Sequence, residues 1–172
     1  MDFVLNHLPR SDYDIFVDAS TSWGIGGCCG TYFFAMSWTE LRYVGLKPVI
    51  IARMELLAGL IAMLCFGNLI KRKLVRLYID NDNAYHWLRK SRSSSLEGTK
   101  FLALWELWKY KLMCKVSPIW IPSAHNVTAD TLSRGRIPTW LQRRGRRRRL
   151  TRKHICILRA CPIKTWLTVL KL

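Results

Sequence analysis

The chain has 172 residues, half of them hydrophobic, which is enough for one domain with a proper core and argues against overall disorder. Its net charge of +17 is unevenly placed: residues 1–130 hold fifteen basic and all eleven acidic residues, whereas residues 131–172 hold thirteen Lys or Arg and no acid. The basicity belongs to the C-terminal segment, which suits a polyanion such as nucleic acid or an anionic membrane surface; a solvated extension or a nuclear-address signal fits the same letters.

Residues 1–12 read as a lead-in. Tyr13–Asp18 is a strand rich in aromatic and β-branched residues that ends on a carboxylate. Trp23–Gly30 continues as a glycine-rich strand and Thr31–Trp38 as an aromatic-rich one, so the three predict an antiparallel meander. Met54–Leu69 is the strongest helix, apolar around most of its circumference. The apolar run Val49–Ile70 has the length of a membrane span, but Arg53 and Glu55 within it favour a buried helix with one functional face.

Val75–Asp80 is a strand that again ends on a carboxylate. A short helix runs from Asn83 to Arg89 with Asp82 as its N-cap, and a polar break covers Ser91–Ser95. Leu96–Cys114 is a second long helix, Val116–Ile121 a strand stopped by Pro122, and Val127–Ser133 a closing short helix. The order βββ-α-β-α-α-β-α predicts an α/β fold with a five-stranded mixed sheet over residues 13–140. The arginine run after Trp140 breaks the packing pattern, so 141–172 reads as a basic tail, disordered or irregular. Six cysteines form no CxxC pair, and no signal peptide opens the chain. Reduced thiols and an intracellular location, cytoplasm or nucleus, are the expectation.

The acidic residues carry the chemistry. Asp18 and Asp80 each end a strand, Glu55 lies in the first turns of the long helix, and Asp130 lies near the start of the last one. Carboxylates brought together this way repel one another unless cations neutralise them, and hard oxygen ligands suit Mg²⁺ or Mn²⁺. Two such ions, roughly 3.5–4 Å apart, serve phosphodiester hydrolysis without a nucleophilic side chain. Each residue also has a plainer reading: a strand-end aspartate caps a turn, and Glu55 pairs with Arg53 or Arg76.

Four segments resemble the motifs of ribonucleases H from reverse-transcribing elements. They are Asp18-Ala19-Ser20 with Trp23-Gly24-x-Gly26-Gly27; Met54-Glu55-Leu56-Leu57-Ala58; Tyr78-Ile79-Asp80-Asn81; and Ile121-Pro122-Ser123 leading through Asn126 to Ala129-Asp130-x-Leu132-Ser133-Arg134-Gly135. The last is most similar to DIRS-type retrotransposons, whose Gly, Pro and Trp stretch is resembled by Gly135–Leu141, and to hepadnavirus polymerases.

The resemblance implies a ribonuclease H-like fold and two-metal cleavage of the RNA strand of RNA–DNA hybrids. Asp18, Glu55, Asp80 and Asp130 would be the catalytic, metal-binding carboxylates for two Mg²⁺ or Mn²⁺ ions. By motif position, Ser20, Thr21, Ser22, Gly26, Asn81 and Asn126 are expected at the substrate, and His125 is a possible auxiliary group. Arg143, Arg144, Arg146, Arg147, Arg148 and Arg149 would add non-specific phosphate affinity. The implied partners are the hybrid and a polymerase domain of the same element, with no membrane. The competing reading is a catalytically inactive ribonuclease H-like module that binds nucleic acid or supports a polymerase.

Overall fold

The computed structural model describes residues 8–42 and 50–159. The first seven positions of the expected lead-in and the last thirteen of the expected tail lie outside them. The meander forms as β1 (Tyr13–Ala19), β2 (Gly24–Cys29) and β3 (Tyr32–Ser37), followed by a short helix α1 (Trp38–Arg42). The chain then gives α2 (Ile51–Cys65), α3 (Gly67–Ile70), β4 (Leu74–Ile79), α4 (Asp82–Lys90), α5 (Leu96–Leu112) and β5 (Lys115–Trp120). A 3₁₀ turn (Ser123–His125), α6 (Val127–Ser133), α7 (Thr139–Arg144), β6 (Arg146–Arg147) and α8 (Arg152–Arg159) complete it.

The strands form one mixed sheet in the order β5-β4-β1-β2-β3-β6. β1, β2 and β3 pair antiparallel, while β4 pairs in parallel with both β1 and β5. The parallel pairing puts the C-terminal ends of β1 and β4 side by side, with Phe16 opposite Tyr78. The two strand-end aspartates, Asp18 and Asp80, therefore emerge at the same edge of the sheet.

Alternation along β1 sends Ile15 and Val17, both fully buried, into the main core beneath α2 and α5. Phe16 points the other way, into a smaller core with Cys28, Phe33 and Leu132 under α6. Most of α2 is buried, including Leu56, Leu57, Leu60 and Ile61, because it packs on the sheet with one side and on α5 with the other. The helical run breaks at Phe66. No helix among the described residues is long and apolar enough to cross a membrane.

Two expectations are corrected. The sheet has six strands rather than five: Arg146 and Arg147 pair in parallel with Tyr32 and Phe33. The ladder is held by Arg146 N–H to Thr31 O at 2.8 Å and Arg148 N–H to Phe33 O at 2.7 Å. Residues 141–159 are likewise not an irregular extension, since Leu141 and Leu158 are buried against the body of the domain. A run of arginines carries no strand period, and backbone pairing plus stacking of Arg146 and Arg148 on Tyr32 supplies what the pattern lacks.

Candidate metal centre

Asp18, Glu55 and Asp80 converge from β1, the first turns of α2 and the end of β4. Each offers a carboxylate oxygen, and those atoms all lie within 4.8 Å of one another. Glu55 is 2% exposed, and its Oε1 accepts the Ala19 N–H at 3.0 Å, which ties α2 to the end of β1. Its Oε2 is buried without a partner. A buried, unpartnered carboxylate oxygen beside two more carboxylates fits a hard cation, which would satisfy it and neutralise the group.

Asp18 is 6% exposed, and the fully buried Ser133 hydroxyl on α6 donates to its Oδ2. Burial pushes the Asp18 carboxyl up to about 6; the charges of Asp80 and Asp130 push the same way, while Ser133 and Arg134 oppose them. Burial also drives Glu55 well above the usual carboxylate range, helped by Asp18 and Asp80. Asp80 follows β4 directly, and the Trp120 indole N–H donates to its backbone carbonyl at 3.2 Å.

Asp130 stands apart from the three. It is half-exposed and pairs with Arg134, at 2.8 Å from Nη2 and 2.9 Å from Nε. It remains near enough for its charge to be felt by Asp18. Of the plainer pairings for Glu55, the one with Arg76 does not form, since Arg76 pairs with Asp14 at 2.6 Å.

The expected substrate residues divide. Ser20, Ser22 and the exposed Thr21 form the turn after β1, with the two serine hydroxyls 2.9 Å apart. Asn81 adjoins Asp80 and caps α4 through Oδ1, which accepts the Ala84 N–H at 3.0 Å. Asp82 is therefore the first helical residue and not the expected cap; it pairs with His86 at 3.4 Å. Gly26 does not face outward: a Cβ there would lie 2.5 Å from Leu132 Cβ and Ser133 N, so the missing side chain lets α6 approach β2. Asn126 is 1% exposed, with its amide nitrogen donating to Val17 O at 2.8 Å, and it anchors α6 to β1.

His125 is exposed and lines a hollow of about 300 Å³ with Phe16 and Trp140, which none of the three converging carboxylates lines. The arginines at 143, 144 and 146–149 are exposed on α7, on β6 and beyond it. Sequence reasoning missed Ser133 and Arg134 as site residues, although both lie within the Asp130 segment itself.

No protein-family model, no curated protein and no solved structure matches the chain. The chemistry of the site therefore rests on its own residues.

Proposed function

We propose that the chain is a metal-dependent endoribonuclease of the ribonuclease H type, cleaving the RNA strand of RNA–DNA hybrids as part of a reverse-transcribing element. The observation that carries this reading is the convergence of Asp18, Glu55 and Asp80 from three separate elements, with a buried Glu55 oxygen awaiting a partner. Each of the three lies in a segment that resembles a ribonuclease H motif, and an antiparallel meander followed by alternating helices and strands agrees with that fold.

Bound Mg²⁺ or Mn²⁺ would supply an activated water and charge on the leaving oxygen. Asp18, Glu55 and Asp80 would hold one ion, and Asp130 would offer a fourth carboxylate for a second. Ser133 fixes one oxygen of Asp18 and so orients the other. Ser20, Thr21, Ser22 and Asn81 border the cluster and suit contacts to 2′-hydroxyls and the duplex backbone rather than to bases. A polymerase domain of the same element is the natural partner.

The test is cleavage of a hybrid labelled on its RNA strand, with Mg²⁺ or Mn²⁺, beside the half-exposed Asp80→Asn. Metal-dependent cutting of RNA is expected, with a loss of about 10²-fold or more in the variant. A folded protein that binds hybrid and never cuts it is the inactive module instead.

A further inference from the structure

At the far end of α2 from Glu55 lies a cavity of about 440 Å³. Glu55 and the cavity-lining Cys65 stand ten residues apart on this helix, about 15 Å along its axis. We propose that this cavity is a binding site for nucleic-acid backbone phosphate, separate from the carboxylate cluster.

Its polar lining is donor-rich. Arg147, Arg148 and Arg149 form one wall, with Thr151 just before α8, His154 in its first turn and Asn68 on the rim; no carboxylate lines it. His154 Nδ1 accepts the Thr151 N–H at 3.3 Å, so in the neutral ring Nε2 carries the proton. Trp108, edge-on to His154, also lines the cavity, and its buried Nε1–H has no partner. Guanidinium, imidazole, amide and indole donors around one hollow suit phosphate oxygens.

Backbone phosphate is favoured over a small free anion because the charge runs on past the cavity. Residues 143–159 hold nine Lys or Arg and no acid, and the ion pairs of Asp14, Asp82, Glu106 and Asp130 are all made with residues outside this segment. Glu40, which shares a smaller hollow with Arg147 and Arg149, is already held by the Ser37 N–H at 2.7 Å and its hydroxyl at 3.0 Å. The arginines also have a purely structural role, since Arg148 stacks on Tyr32 at 4.7 Å and Arg147 donates to Ala35 O at 2.8 Å. Charge on a sheet edge further discourages strand addition. The test must therefore alter the cavity's charge without touching those contacts.

Asn68 is exposed, so Asn68→Asp places a carboxylate at the rim without disturbing the core. In the full chain carrying Asp80→Asn, binding of a short labelled RNA–DNA hybrid is measured against salt concentration. Asn68→Asp is expected to weaken binding about five- to ten-fold at low salt, and Arg149→Gln, which leaves the Arg147 and Arg148 contacts in place, to lower the salt slope by about one. Asn83→Asp, an equal charge change at an exposed position on α4, is the control and should have little effect. Equal weakening by both Asn→Asp changes, or an unchanged affinity and slope in the cavity variants, overturns the site. Displacement of the hybrid by millimolar inorganic phosphate at constant ionic strength assigns the cavity to a free anion and overturns the backbone assignment.

Discussion

Asp18 is almost out of contact with water and has Glu55 and Asp80 beside it, so without a cation three like charges compete for one site. Its carboxyl is pushed up to about 6, from an ordinary value near 4 in the unfolded chain. A raised acid favours the folded state only while it stays protonated. Stability from Asp18 is therefore fully present below about pH 4 and lost as pH rises through about 6, a change of about 2–3 kcal/mol. Glu55, raised for the same reasons, acts in the same direction. The ion-free protein in chelator should melt at a lower temperature at pH 7 than at pH 5, and Asp18→Asn should recover several degrees at pH 7. Added Mg²⁺ should stabilise the native chain and not the variant. A native melting temperature that rises from pH 5 to pH 7 in chelator would contradict the repulsion argued here.

The short helix α6 (Val127–Ser133) brings Ser133 to Asp18, and it can lie that close to β2 only because residue 26 has no Cβ. In Gly26→Ala the added methyl meets Leu132 Cβ and the Ser133 backbone, neither of which swings aside, so the helix must shift. A loss of about 1–3 kcal/mol is expected in denaturant unfolding, together with weakened metal-dependent activity. Gly30→Ala is the comparison: its Cβ meets nothing within 4 Å, but its φ of +58° costs about 1 kcal/mol, and activity should persist. Equal activity loss in both would mean that the Ser133 contact is not what matters. The same glycine shows what the sequence could and could not reveal. Strands that end on Asp18 and Asp80, and a helix that opens near Glu55, were legible because period and composition mark them. Gly26 and Asn126, expected at the substrate, are seen here in packing roles, since close approach to a ligand and close approach to a helix call for the same letters. Asn81 took the cap expected of Asp82, a one-residue offset within the ordinary blur of helix starts. Nothing in the letters distinguished an arginine edge strand from a solvated run.

For the molecule as a whole, the segment after Trp140 has two opposed effects on stability. Removing 141–172 deletes eleven basic residues and no acid, which relieves self-repulsion in a chain of net charge +17 and by itself favours folding. It also removes Leu141, 1% exposed beneath α6, and Leu158, 6% exposed against Leu60, Leu64 and Leu104. Two such side chains are worth about 3–6 kcal/mol of burial, more than repulsion spread over an exposed arginine face returns. The truncation also strips β6 from β3 and leaves an unpaired edge bearing Tyr32 to Met36. A chain ending at Trp140 should therefore melt well below the full chain and self-associate, as measured by thermal denaturation and light scattering. In the full-length background, Leu158→Ala should reproduce part of the destabilisation without the association, because β6 stays in place. A truncated chain that melts at the native temperature and stays monomeric would return residues 141–159 to the status of a dispensable tail.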